Sequence, residues 1–351
     1  MADLDRFDAN AAGNPQNNIF GLPFKEEDAQ LVIVPVPWEV TVSCCAGTAR
    51  APEHIYKSSR QIDLFDLDNP DGWKRGFYMR TADKKVLLKS DYLRKEAELY
   101  IEYILKGEVV DNNTFIAKSL RDINEGSLYL NKWVYEQTST LLAKGKLVAL
   151  LGGDHSTPLG FFKALAEHHG EFGILQIDAH CNLRRAYENF VYSHASIMYN
   201  SLEQIPQLTK LVQVGVRDFS QEEWEYIHAH EERIHTFFDR DIKEHAYTGK
   251  PWNELAQQIV DTLPPKVHLS FDIDGLDPKF CPNAGTPVAG GLEIDQVIYI
   301  IRCLIRSGRQ LISFDLCEVG VDERSWDANV GARILWKLCN LLMLSNPDQQ
   351  S

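Results

Sequence analysis

The chain has 351 residues and a mass of 40.0 kDa, and 44% of its residues are hydrophobic. This amount of apolar material excludes an intrinsically disordered chain and a small fold held together by disulfides. The 36 basic and 50 acidic residues give a formal charge of -14. That charge argues against binding to nucleic acid or to an anionic membrane, because both require concentrated positive charge, whereas a cationic ligand would suit it.

Predicted strands and helices alternate along most of the chain. Apolar runs predict buried parallel strands at 31–37, 147–153, 172–180, 210–218, 266–274 and 310–319. Apolar residues at helical spacing predict helices over 91–108, 127–146, 158–170, 253–263, 295–308 and 328–344. This alternation predicts βαβ crossovers and one parallel sheet covered by helices on both faces.

The chain is predicted to form one domain, residues 1–351, because no Pro-, Gly- or Ser-rich linker divides it. Residues 59–126 are turn-rich at their start and interrupt the alternation, so we interpret them as an insertion. Residues 1–30 are expected to form an N-terminal arm.

Neither a membrane anchor nor an export signal is predicted. The sequence has no run of about 18 apolar residues, and residues 1–18 lack the basic and apolar segments of a signal peptide. The seven cysteines are irregularly spaced, and only Cys44 and Cys45 lie close together, as neighbours. A disulfide framework or a zinc site is therefore disfavoured, and a cytoplasmic protein with free thiols is expected.

Polar residues stand at the ends of four predicted strands. They are Gly152-Gly153-Asp154-His155-Ser156, Asp178-Ala179-His180-Cys181-Asn182, Asp272-Ile273-Asp274 and Glu318. Because ligands bind at the carboxyl ends of parallel strands, these side chains should converge in one crevice. Carboxylates and imidazoles gathered there would be costly to bury without a cation, and this mixture of ligands suits Mn, Ni, Co or Zn.

Together with GTPVAGGL at 285–292 and the glutamate of DLCEV, these motifs resemble the ureohydrolases. That family includes arginase, agmatinase, guanidinobutyrase, formimidoylglutamase and guanidine hydrolase. The similarity runs from about residue 30 to residue 345. It implies an arginase-like three-layer α/β/α sandwich with a mostly parallel sheet, a binuclear metal centre, and a homo-oligomer that is a trimer or a hexamer.

The resemblance also implies two divalent ions, with Mn2+ favoured and Ni2+ as an alternative. Asp178 and Asp272 would bridge the ions, and the full set of ligands would be His155, Asp178, His180, Asn182, Asp272 and Asp274. A water between the ions would lose a proton and attack a guanidinium carbon, which releases urea and an amine, or ammonia if the substrate is guanidine.

Three further residues are expected to serve the substrate. By resemblance, Glu318 would pair with the guanidinium group, and His194 would shuttle protons to the leaving amine. Thr48 is a candidate polar contact in the loop 37–52, which also contains Thr41 and Ser43. This loop, with the 59–126 stretch, looks more like the agmatinase and guanidine-hydrolase branch than arginase. The 59–126 stretch could cover the pocket and favour a small guanidine.

Asn182 departs from the family motif D-A-H-x-D, which has aspartate at that position. An amide brings no charge, so one ion should bind more weakly. The enzyme could tolerate the change, with a metal such as Ni2+. The chain could instead have lost hydrolysis and act as a binding or partner subunit, or the asparagine could be an introduced inactivating substitution. A mononuclear hydrolase that keeps Asp178, His180 and Asp274 is a related alternative.

A nucleotide-binding Rossmann protein is a poor alternative because no G-x-G-x-x-G motif follows the first predicted strand. The leading hypothesis is a metal-dependent hydrolase that cuts a C–N bond of a cationic guanidino compound.

Overall fold

The computed structural model describes residue 4, residues 7–43 and residues 45–347, so Cys44 lies outside the described residues. The strands in these ranges are β1 (Leu31–Val36), β2 (Phe77–Met79), β3 (Leu147–Gly152), β4 (Phe172–Ile177), β5 (Leu208–Val216), β6 (Ile234–Phe238), β7 (Lys266–Asp272) and β8 (Gln310–Cys317). The α-helices are α1 (Ala51–Ser58), α2 (Lys84–Leu105), α3 (Thr114–Ala143), α4 (Leu159–His169), α5 (Ile197–Gln204), α6 (Gln221–Ala229), α7 (Asp239–Tyr247), α8 (Trp252–Asp261), α9 (Ile294–Arg306) and α10 (Trp326–Ser345).

The eight strands of the described residues form one sheet in the order β2-β1-β3-β8-β7-β4-β5-β6, and each pairing of neighbouring strands is parallel. The predicted parallel sheet is therefore confirmed, and each of the six predicted strands matches a strand of the sheet. Strands β2 and β6 were not predicted. They are short strands at the two edges, where a short, partly buried run carries little hydrophobic pattern.

Helices cover both faces of the sheet and bury two hydrophobic cores. Side chains of a strand alternate between its faces, so Leu31 and Ile33 enter one core while Val32 and Val34 enter the other. The first core holds buried residues of α1, α7, α8, α9 and α10, and the second holds those of α2 to α6. This is the expected three-layer arrangement.

The residues 59–126 contain β2, all of α2 and the start of α3. The side chains of Asp83 and Asn113 accept hydrogen bonds from backbone N–H groups in the first turns of α2 and α3, which explains where these helices begin. Both helices start earlier than the apolar spacing predicts. That this stretch is an insertion, and that residues 1–30 are an arm, stay predictions, although Ile19 and Phe20 are buried in the first core.

Four neighbouring strands in the middle of the sheet end at one level. The register pairs Leu151 of β3 with Leu316 of β8, pairs Leu316 with Phe271 of β7, and pairs Phe271 with Ile177 of β4. The residues that follow these positions therefore meet at the carboxyl edge of the sheet. Among the described helices, none has the length and apolar character needed to cross a membrane.

Edge strand β2 gives a test of the packing. Phe77 is fully buried, and its ring lies 6.2 Å from the ring of Phe20 and 5.6 Å from that of Trp336. Phe77→Ala should lower the free energy of unfolding by about 3–5 kcal/mol, because it opens a cavity between these rings. The matched control, Phe65→Ala in the same stretch, removes a side chain that is 68% exposed and should change stability by less than about 0.5 kcal/mol. Equal unfolding midpoints in urea for both variants would contradict this packing.

Candidate metal centre

A first cluster forms where β3, β4 and β7 end. The Nδ1 atom of His155 lies 3.0 Å from Oδ2 of Asp178 and 3.1 Å from Oδ2 of Asp272. All three side chains are buried. One ligand atom from each lies within 4.8 Å of the others, so together they could hold a metal ion.

A second cluster shares Asp178 with the first. The Nδ1 atom of His180 lies 3.0 Å from Oδ2 of Asp274 and 3.5 Å from Oδ1 of Asp178. These three residues also offer ligand atoms within 4.8 Å of one another. Asp178 thus turns one carboxylate oxygen toward each cluster, which is the arrangement of a ligand that bridges two ions.

The charges in these clusters fit a cation. Each imidazole turns Nδ1 toward two carboxylates, and a bare nitrogen lone pair would repel their oxygens. Burial works against the imidazolium form, but Asp178 and Asp272 raise the pKa of His155 well above its usual value. In the same way, Asp274 and Asp178 outweigh burial and raise the pKa of His180 to about 12. Burial and the nearby carboxylates of Asp274 and Asp178 raise the pKa of Asp272.

Positive charge placed between these carboxylates would stabilise them, because it offsets their mutual repulsion. A divalent cation would supply this charge, and mixed imidazole and carboxylate donors suit a first-row transition metal. The residues present therefore fit a metal centre.

A buried polar network contacts the side of the His155 ring that faces away from the carboxylates of the first cluster. Its Nε2 atom lies 2.8 Å from Oγ of Ser270, which donates a hydrogen bond to Oδ1 of Asp315 at 3.1 Å. The other oxygen of Asp315 lies 2.7 Å from Nε2 of His268. All four residues are buried, and engaging Nε2 leaves Nδ1 free to face the carboxylates.

Sequence reasoning missed this network, although a signal was present. His268, Ser270 and Asp272 alternate along β7, and Asp315 and Cys317 occupy alternate positions on β8. Polar residues at every second position of an otherwise apolar strand share one face and need partners there.

Asn182 lies in the first cluster, where the resemblance placed it. Its Nδ2 group donates a hydrogen bond to Oδ2 of Asp178 at 2.7 Å and lies 3.2 Å from Nδ1 of His155. Its φ of +54° is left-handed, a conformation that asparagine tolerates better than most residues. The amide adds no negative charge to the cluster, whereas an aspartate would add one.

Glu318 lies beside the clusters with one oxygen unused. Oε1 accepts a hydrogen bond of 2.8 Å from the backbone N–H of His155, while Oε2 is buried with no hydrogen-bond partner among the described residues. Burial, and then the nearby Asp272 and Asp154, raise the pKa of Glu318 well above its usual value. A side chain at Gly285, in the GTPVAGG motif, would place its Cβ 2.2 Å from Oε2, so only glycine leaves room for this oxygen.

His194 lines a cavity of about 480 Å³ together with His180 and Asn182. This volume lies within the range of small-molecule sites. The Nδ1 atom of His194 lies 3.4 Å from Oγ1 of Thr41. Burial, and then the neighbouring His180 and His155, lower the pKa of His194 to about 3.

Thr48 does not line this cavity. Its hydroxyl donates to Oε2 of Glu39 at 3.3 Å, whereas Ser43 of the same loop is part of the cavity wall. That Thr48 contacts the substrate stays a prediction. No described residue of 59–126 lines the cavity either, so this stretch does not cover it directly.

The fold and the site define an α/β protein with a carboxylate and imidazole centre at the carboxyl edge of a parallel sheet. Residues 29–340 match the model of the arginase family, and the chain belongs to this family. The family depends on a binuclear metal centre.

Relatives of known name resemble most of the chain. The N(1)-aminopropylagmatine ureohydrolase of Thermus thermophilus is 28% identical over 294 residues, which cover 84% of this chain and 83% of the relative. The agmatinase of Neisseria meningitidis is 26% identical over 324 residues, which cover 90% of this chain and 88% of the relative. The crystal structure of the agmatine ureohydrolase of Thermoplasma volcanium has a similar fold, with a TM-score of 0.70, 20% identity, and 97% of each chain covered.

The network behind His155 can be tested with Ser270→Ala. Loss of the hydroxyl should lower the affinity for Mn2+ about 10–100-fold, because Nε2 of His155 loses the partner that orients the ring. Competition with a chelating dye measures this affinity. Ser127→Ala, which removes a buried hydroxyl from α3, is the control and should bind Mn2+ as the unmodified protein does. Equal affinity in both variants would contradict the orienting role of Ser270.

Proposed function

We propose that the chain is a metal-dependent ureohydrolase that cleaves a guanidino C–N bond and releases urea. The observation that carries this proposal is the unpaired, buried Oε2 of Glu318 beside the carboxylate and imidazole clusters. A buried carboxylate oxygen without a donor is costly, and the N–H groups of a planar guanidinium cation would satisfy it. The substrate is a guanidino compound such as agmatine or guanidine, in keeping with the names of the relatives.

Two divalent ions, Mn2+ or alternatively Ni2+, would supply a Lewis acid and an activated water when bound. Asp178 and Asp272 would be shared by both ions. The proposed ligands of one ion are His155, Asp178, Asn182 and Asp272, and those of the other are Asp178, His180, Asp272 and Asp274.

The chain's own residues would position the substrate and move protons. Glu318 would hold the guanidinium group through a charge-assisted hydrogen bond that also fixes its orientation. His194, which lines the cavity, would carry a proton to the leaving nitrogen. Thr41 supports this role, because its hydroxyl contacts both His194 and, at 3.5 Å, Oδ2 of Asp154.

We further propose a cytoplasmic homo-oligomer, a trimer or a hexamer, that binds neither nucleic acid nor membranes. The resemblance to the ureohydrolases and the acidic charge of the chain support this. Light scattering of the purified protein measures the number of subunits.

The direct test of the function is urea release. The protein loaded with Mn2+ or Ni2+ should produce urea from at least one of guanidine, agmatine, arginine and guanidinobutyrate. A fully loaded protein that releases no urea from any of them would contradict the proposal and favour a binding or partner subunit.

Asn182→Asp should strengthen metal binding. The added carboxylate places a further negative charge in the first cluster, so the more weakly held ion should bind at least about tenfold more tightly, and urea release should increase. Elemental analysis and a urea assay measure the two effects. Asn253→Asp makes the same charge change at an exposed position of α8 and should change neither. If Asn182→Asp gains neither metal nor activity, residue 182 is not the proposed ligand.

Glu318→Gln should separate substrate binding from metal binding. The amide keeps the shape of the side chain but removes its charge, so KM for the best substrate should rise at least about 30-fold, as expected when a buried charge pair is broken. The metal content should not change. Glu323→Gln, an exposed position in the following loop, is the control and should leave both KM and metal content unchanged. Metal loss in Glu318→Gln alone would show that Glu318 belongs to the metal centre instead.

A further inference from the structure

Two loops form much of the cavity wall. The β1 loop, the described residues of 37–50, contributes Ser43, and the β4 loop, residues 183–195, contributes Arg184, Tyr187 and His194. A substrate whose guanidino group is held by Glu318 would meet these loops with the rest of the molecule. Their positions therefore determine the space left for the substrate's tail.

Helix α2 supports the β1 loop at several points. The hydroxyl of Ser90 accepts a hydrogen bond of 3.0 Å from the backbone N–H of Glu39. Arg94, whose side chain is only 11% exposed, donates through Nη1 to the carbonyl oxygens of Val40, at 3.4 Å, and of Val42. The first residues of the β1 loop are thus held by hydrogen bonds to polar side chains of one helix.

The same helix also supports the β4 loop. The side-chain amide of Asn189 donates to the hydroxyl of Tyr100 at 2.7 Å, and the rings of Tyr100 and Phe190 lie 5.3 Å apart. From α3, Oδ1 of Asn124 accepts a hydrogen bond of 2.9 Å from the backbone N–H of Val191.

The β4 loop needs this support because its backbone is strained. Glu188 has a φ value of +53°, a left-handed conformation that is unfavourable for a glutamate, and Asn189 follows it at +64°. Such conformations persist only where the surroundings hold them. Tyr100 of α2 and Asn124 of α3 supply such contacts.

We propose that α2, through Arg94 and Tyr100, positions the two cavity loops and thereby sets which guanidino compounds the site accepts. The proposal rests on the proposed function. Arg94 and Tyr100 do not line the cavity, so they are positioning residues that act through the loops. The expected consequence is a change in the binding of substrate tails without a change in the metal centre.

Arg94→Met tests this proposal because it keeps an unbranched chain and removes the donors. KM for the best substrate with a tail should rise about tenfold, which is the effect expected when a buried charge loses one hydrogen bond. KM for guanidine, kcat and the metal content should stay close to those of the unmodified protein. Arg94→Lys should recover part of the loss, and Tyr100→Phe should shift KM in the same direction. Lys95→Met, an exposed position of the same helix, is the matched control.

Hydrogen exchange gives a second readout that does not depend on activity. Peptides from the β1 loop in Arg94→Met, and peptides from the β4 loop in Tyr100→Phe, should exchange faster than in the unmodified protein and in Lys95→Met, while peptides from the central strands should not. Unchanged exchange in both loops would overturn the proposal, and so would an equal loss of kcat for every substrate with the KM ratios preserved. An unmodified protein that releases no urea would refute the proposed function, but the exchange result would still decide whether α2 positions the loops.

Discussion

The structure depends on one electrostatic constraint, which is the crowding of buried carboxylates around Asp178. Its two oxygens face His155 on one side and His180 on the other. Asp272 and Asp274 add further negative charge to the same buried space. A cation between the oxygens would stabilise such an arrangement, and this supports the proposed metal centre.

The fold creates this crowding through the register of four parallel strands. Because β3, β8, β7 and β4 are neighbours and end at one level, residues far apart in the chain arrive at the same edge. Hydrophobic cores on both faces pack the sheet between layers of helices and so hold the strand ends in place. Behind them, Ser270 and Asp315 fix the ring of His155, and beside them Glu318 keeps one oxygen unpaired.

Much of this arrangement could be predicted from the sequence, because strand ends with polar residues follow long apolar runs. The edge strands β2 and β6 could not, since short strands carry little periodicity. Loop geometry also could not be predicted. The support of the cavity loops by α2 depends on long-range contacts, such as that between Tyr100 and Asn189, which no local pattern of residues indicates.

We propose that the two clusters are cation sites, which a crystal structure of the protein soaked in Mn2+ would test, with anomalous difference density recorded near the manganese absorption edge. We expect one peak among His155, Asp178 and Asp272, and a second among His180, Asp178 and Asp274, with the peak beside Asn182 the weaker of the two. Density for manganese elsewhere, with no peak within bonding distance of Asp178, would contradict it.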